Sequence, residues 1–214
     1  MRDIYHEELD SIGATLIEMT GLVGTAMAKA TTALLEVDLQ VAESVIAADD
    51  AVDALQQKLD TRALDLLARQ QPVAGDLRTI MTSLRMSADL ERMGDLARHV
   101  AKVARRRYPE PAIPEALRPS ITDMGRIAVE LAAKTATIIE GRDIEIAREL
   151  SADDDAMDQL HRKLFTILLD PAAPYSVEAS IDVTLIGRYY ERYADHAVSV
   201  AKRVIFLVTG EHGN

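Results

Sequence analysis

The residues of this 214-residue chain that could do chemistry are carboxylates at helical spacing. Glu91 and Asp95 stand four apart, and so do Glu191 and Asp195. Asp50 and Asp53 stand three apart, as do Asp155 and Asp158. On a helix either spacing puts both acids on one face, about 5–6 Å apart. Such like-charged neighbours cost roughly 0.2–0.5 kcal/mol in an isolated helix. Keeping that cost at several places asks for a compensating cation. Oxygen-only donors suit hard ions such as magnesium, manganese, calcium or iron. His99, four residues after Asp95, adds a nitrogen that would favour iron, manganese or zinc, whereas Ser199 stands four after Asp195. A solvated acidic face has the same spacing. Arg92 or Arg98 could neutralise Glu91, and Arg188 could neutralise Glu191. All four pairs fall outside the apolar stripe of their segments, so they are expected to face solvent or a neighbouring molecule.

The acids recur because the chain repeats itself. Residues 49–59 (DDAVDALQQKL) match 154–164 (DDAMDQLHRKL) at 7 of 11 positions, at an offset of 105. Residues 91–102 (ERMGDLARHVAK) match 191–202 (ERYADHAVSVAK) at 7 of 12 positions, at an offset of 100. The period is longer than that of common solenoids. It points to duplication of a larger unit and a pseudo-twofold molecule. Convergence of amphipathic helices would match the apolar positions, but not acids outside the core.

Punctuation defines the elements that carry the acids. Seven prolines fall at 72, at 109, 111, 114 and 119, and at 171 and 174. Between them run stretches rich in Ala, Leu, Glu, Arg and Met, all good helix formers. Six helices are expected: about 4–36, from a cap at Asp38 to about 70, 73–107, 118–140, from a cap at Asp143 to about 169, and 177–209. Gly141 and Gly210 are expected just past helix ends. Leu90, Met93, Ala97, Val100, Ala101 and Ala104 form one stripe, and Ile186, Tyr190, Tyr193, Ala197, Val200, Ala201, Val204 and Val208 another. No alternating strand pattern appears. Short connections make successive helices antiparallel. The fold class is all-α, with two tandem three-helix bundles: residues 1–107, a proline-rich linker over 108–117, and residues 118–214.

Composition narrows the chemistry. There are 24 Lys+Arg against 35 Asp+Glu, a net charge of −11, and no cysteine or tryptophan. Thiolate metal sites, disulfides and cysteine nucleophiles are excluded. An acidic chain with a pI near 4.9 is a poor general binder of nucleic acid. No run approaches 18 uninterrupted apolar residues, and the first residues are too charged for a signal peptide, so a cytoplasmic location without membrane insertion is expected. Neither a phosphate-cradling glycine loop nor a G-x-S-x-G elbow is present. A ferritin-like di-iron enzyme would use inward Glu with Glu-x-x-His, and that motif is absent. A metal-free helical scaffold fits the same residues. Arg105–Arg107 either complement the C-terminal end of their helix or offer a handle to an acidic partner or a membrane-adjacent surface. Most of the five histidines (His6, His99, His161, His196, His212) are expected at the surface.

The E-R-x-x-D-x-A context of Glu91–Ala97 and Glu191–Ala197, in a duplicated three-helix unit of this length, resembles the PhoU family. The likeness extends from about Tyr5 to Gly210. It implies an all-helical, non-enzymatic accessory regulator of phosphate-specific transport, often a homodimer. Such a protein restrains phosphate-starvation signalling by contacting the transporter's ATPase subunit and a sensor histidine kinase. Some members bind multinuclear iron, zinc or other ions through the acidic motif. Here that maps onto Glu91, Asp95, Glu191 and Asp195, with Asp50, Asp53, Asp155 and Asp158 in support. Two departures stand out. Tyr189 replaces the acid matching Asp89, and Ser199 stands where the family often has Asn.

Overall fold

The computed structural model describes residues 2–70, 72 and 74–211, with side chains from residue 7 onward except at Gln70. It contains six long α-helices: α1 Arg2–Glu36, α2 Leu39–Gln70, α3 Ala74–Arg107, α4 Arg118–Gly141, α5 Ile144–Leu168 and α6 Val177–Thr209. A single turn of 3-10 helix, Glu115–Leu117, precedes α4. Val73, expected to open the third helix, and His212 lie outside the described residues, as does the side chain of His6.

The helix ends follow local chemistry. Asp38 Oδ1 accepts from the Val41 amide at 3.0 Å. Asp143 Oδ1 accepts from the Glu145 and Ile146 amides, capping α5. Ser176 caps α6 in the same way through the Ala179 amide. Gly210 closes α6 at φ 79°, where glycine has no Cβ to clash. One end differs from expectation. Gly141 remains helical, and the left-handed residue after α4 is Arg142, at φ 50°.

Side-chain periodicity sets the packing. On α1, Ile12, Leu16, Met19, Val23, Met27, Ala30 and Leu34 recur at intervals of three and four, and all are buried. Over Glu7–Glu36 this helix matches a membrane span in length and composition. Its apolar stripe is covered by protein, since α1 packs on α2, α3 and α4. Helices α3 and α6 pack on each other, α4 packs on α6, and α2 and α5 flank the two sides. One continuous core runs through both halves. The proline-rich segment joins it, with Ala112, Ile113 and Leu117 buried. Burying a Leu- or Ile-sized side chain gains about 1.5–3 kcal/mol, so this segment is an integral strap.

The halves meet through close contacts of α1 with α4 and α6. A Cβ added at Gly24 would lie 3.2 Å from Ala132 Cβ, and one at Gly125 would lie 2.5 Å from Thr31 Cγ2. Both are points where α1 and α4 come close to each other. Tyr190, buried on α6, reaches across to Thr31 with a 2.6 Å hydrogen bond.

Candidate functional site

Each repeat gathers its acids along the groove between two helices. In the first, α2 contributes Asp49 and Asp53, and α3 contributes Glu91 and Asp95. Asp49 is buried, Asp53 half-buried, and the Glu91 and Asp95 side chains are 21% and 16% exposed. Gly94 faces Asp49 across the groove, where a Cβ would make ordinary contact with Asp49 Oδ1 at 3.5 Å. Arg98 lies between the helices. One guanidinium nitrogen pairs with Asp49 and the other with Asp95. Arg92 adds a 3.0 Å pair with Asp95 and a 3.6 Å pair with Glu91. Burial pushes the Asp49 carboxyl above its ordinary range, Arg98 pulls it down, and Asp53, Asp95 and Asp50 push it up again. Glu91 is raised by burial and by Asp95.

The second repeat places Asp154 and Asp158 of α5 against Glu191 and Asp195 of α6. The scaffold is the same, but the counter-charge is not. Arg188 pairs with Glu191 Oε1, and Arg192 with Asp195 at 3.3 Å. Both arginines sit on α6 itself and are about half exposed. Among the described residues, no arginine or lysine bridges α5 to α6. Asp154 Oδ1 and Glu191 Oε2 are buried without a hydrogen-bond partner. Burial pushes the Asp154 carboxyl up to about 6, reinforced by Asp158, Asp195, Glu191 and Asp155. An acid with no paired cation in a desolvated setting behaves this way.

The sequence-derived candidates therefore divide. Glu91, Asp95, Asp53, Glu191, Asp195 and Asp158 line the two grooves. The four helix-pair acids are more sheltered than expected: Glu191 is only 14% exposed, and Asp195, at 42%, is the open one. Asp50 and Asp155 are exposed and stand outside the grooves. Their places are taken by the preceding residues, Asp49 and Asp154. The signal for those two was present in the sequence. Asp49 and Asp53, like Asp154 and Asp158, have the same four-residue spacing as Glu91 and Asp95. His99 does not extend the acidic row. It stacks on Tyr189 of α6, with ring centroids 5.2 Å apart, and burial lowers its basicity.

A cation fits the two clusters unequally. The donors are hard carboxylate oxygens in both, suited to magnesium or manganese. As the side chains stand, no three acids or histidines among the described residues converge tightly enough to hold an ion. In the first cluster the Arg98 guanidinium already lies between the carboxylates. In the second, the orphaned oxygens of Asp154 and Glu191 are what a cation would satisfy, after rotation of exposed carboxylates.

The two departures in the repeat meet at the α3–α6 interface. Asp89 of α3 accepts from Ser199 Oγ at 3.0 Å and from Arg203 Nε at 2.7 Å, and lies 3.0 Å from His196 Nδ1. Burial would raise the Asp89 carboxyl, but the bonds from His196 and Arg203 outweigh it and hold it below the ordinary range. The Tyr189–His99 stack occupies the symmetry-matched place. The basic run at the end of α3 is also internal in use. Arg106 and Arg107 grip the buried Asp182 of α6, Arg107 adds Glu178, and Arg105 reaches Glu43 at 3.5 Å.

Comparison with known proteins accounts for the duplication. The family model described as "PhoU domain" matches twice, over residues 16–104 and 121–204. The chain is 50% identical over 210 residues to the Mycobacterium tuberculosis protein named phosphate-specific transport system accessory protein PhoU homolog 2, covering 98% of this chain and 99% of that one. It is 35% identical to the Aquifex aeolicus PhoU homolog, covering 96% and 93%. The crystal structure of PhoU from Pseudomonas aeruginosa superposes with a TM-score of 0.87 at 29% identity, covering 97% of this chain and all of that one. The regulatory protein PhoU from Streptococcus pneumoniae gives 0.89 at 25% identity, covering 98% and 99%. With the fold, the repeat and the acidic motifs in agreement over nearly the whole chain, this protein belongs to the PhoU family.

Proposed function

We propose that this protein is a cytoplasmic accessory regulator of phosphate-specific transport that restrains phosphate uptake and the phosphate-starvation response. It acts without catalysis, by contacting the ATPase subunit of the phosphate transporter and a sensor histidine kinase, and it works as a homodimer. The observation that carries this reading is the near-full-length identity to proteins named for that accessory role. A regulator without catalytic groups acts through differential affinity for the states of its partner. Long, rigid helices presenting two matched acidic grooves suit such a surface.

The same reading includes a divalent cation, manganese or magnesium, at the second acidic groove. Asp154, Asp158, Glu191 and Asp195 would hold it. The ion would supply charge neutralisation and a bridge from α5 to α6.

The regulatory reading is tested by deleting the gene and following a phosphate-starvation reporter in phosphate-replete medium. Constitutive expression, reversed by the wild-type gene, is the expected result. Normal repression in the deletion strain would reject the role.

A further inference from the structure

The two acidic grooves are copies in which eight carboxylates agree and two arginine positions do not: Arg188 of α6, which pairs with Glu191 on its own helix, corresponds to Ala88 of α3. Arg98 of α3 corresponds to Val198 of α6. We propose that Arg98 is a resident counter-cation that stands in for a metal ion in the first repeat, so that of the two grooves only the second accepts a divalent cation. The second half of this statement rests on the cation reading given above; the first half does not.

The first repeat itself shows what these acids hold. The Arg98 guanidinium joins Asp49 on α2 to Asp95 on α3. Among the described residues no such link joins the matched Asp154 on α5 to Asp195 on α6, and Val198 packs against the apolar core instead. The consequence is visible where a missing cation would leave it. Asp154 Oδ1 is buried with neither a hydrogen bond nor an ion pair, whereas Asp49 Oδ2, also buried without a hydrogen bond, is ion-paired to Arg98; Glu191 Oε2 is likewise unbonded, although Arg188 holds its other oxygen. Arg188 and Arg192 do not substitute, because each pairs with an acid three residues away on its own helix. A guanidinium supplies fixed charge and directional N–H donors to carboxylates, and once seated it excludes a metal that would need the same oxygens.

The test is titration of Mn²⁺ into purified, metal-stripped full-length protein, with stoichiometry read by calorimetry and by the electron paramagnetic resonance of free Mn²⁺. The variants are Arg98→Val, Val198→Arg and, should the first fold poorly, Arg98→Gln. Wild type should bind one equivalent per chain, Arg98→Val or Arg98→Gln two, and Val198→Arg none. In chelator, Val198→Arg should melt a few degrees above wild type and the Arg98 variants below it, and Mn²⁺ should raise the wild-type midpoint but not that of Val198→Arg. Two equivalents in wild type, or one in the Arg98 variants, would overturn the proposal while leaving the cation reading intact. No Mn²⁺ binding by any form would defeat the cation reading and with it the second half of the proposal. The chelator melts would then decide the first half: a raised midpoint for Val198→Arg supports it, and an unchanged or lowered one rejects it.

Discussion

His99 of α3 lies stacked on Tyr189 of α6, with their planes 24° apart, at the position where the molecular pseudo-symmetry places Ser199 against Asp89. Two copies of one inter-helix contact have thus diverged into an aromatic pair and a carboxylate-centred network. Read along the sequence, the same four residues look like variation in a ligand set. Across the α3–α6 interface they are complementary replacements, polar with polar and ring with ring.

The carboxylate network should dominate that interface. Asp89→Ala would leave Ser199 and Arg203 without their acceptor in a largely desolvated place. We expect a loss of about 3 kcal/mol, read by urea unfolding. In the Asp89→Ala background, Ser199→Ala should have almost no further effect. Additive losses would show that the two side chains stabilise the protein independently.

The clamp at the other end of the pair should resist salt. Asp182 is 3% exposed and held by Arg106 and Arg107, whereas Arg126 and Glu130 form a pair with both partners more than half exposed. A double-mutant cycle on Arg107 and Asp182 should give coupling that persists in 1 M salt, near a Debye length of about 3 Å. The Arg126–Glu130 coupling should be no more than about 0.5 kcal/mol and disappear.

The crossing of α1 with α4 should be intolerant of a single methyl. Gly125→Ala gains up to about 1 kcal/mol of helix propensity. It also forces a Cβ into Thr31, whose hydroxyl is bound to the Met27 carbonyl and to Tyr190. Overpacking of this kind costs about 1–3 kcal/mol, so the thermal midpoint should fall. Adding Thr31→Ser, which removes the nearest carbon and keeps the hydroxyl, should restore part of the loss. A Gly125→Ala protein as stable as wild type would contradict the close approach.

Asp154 should be a position where a charge is better removed. In chelator, Asp154→Asn is expected to stabilise the protein, because it deletes a buried charge that faces other acids. Asp49→Asn should destabilise it, since Arg98 would lose one of its two carboxylates. Equal effects of the two substitutions, measured by thermal melts, would show that the grooves do not differ in counter-charge.

Much of this molecule is legible in its sequence, for physical reasons that also mark the limits. Asp38, Asp143 and Gly210 announce helix ends because capping and left-handed geometry are local matters. The duplicated acids are legible because four-residue spacing means one helix face. Which acid of the Asp49–Asp50 and Asp154–Asp155 doublets turns inward depends on how α2 meets α3 and α5 meets α6. A neighbour at i+1 differs by about 100° around the axis, and spacing alone left the choice open. The partners of Asp89 and Asp182, about a hundred residues or more than seventy away, are set by the antiparallel crossing of α3 and α6. Arg105–Arg107 had good local explanations, the helix end among them. Their use against the start of α6 is a tertiary fact.

The strap formed by Ala112, Ile113 and Leu117 has a consequence for how such a doubled protein is kept. Its two halves share one interior, so neither is a spare. A fragment ending at Arg107 would bare the sides of α1 and α3 that α4 and α6 normally cover, and would lose the three residues that close the seam. Once the ancestral unit was joined to its copy, each half was free to change the counter-charges around its acids, but no longer free to leave.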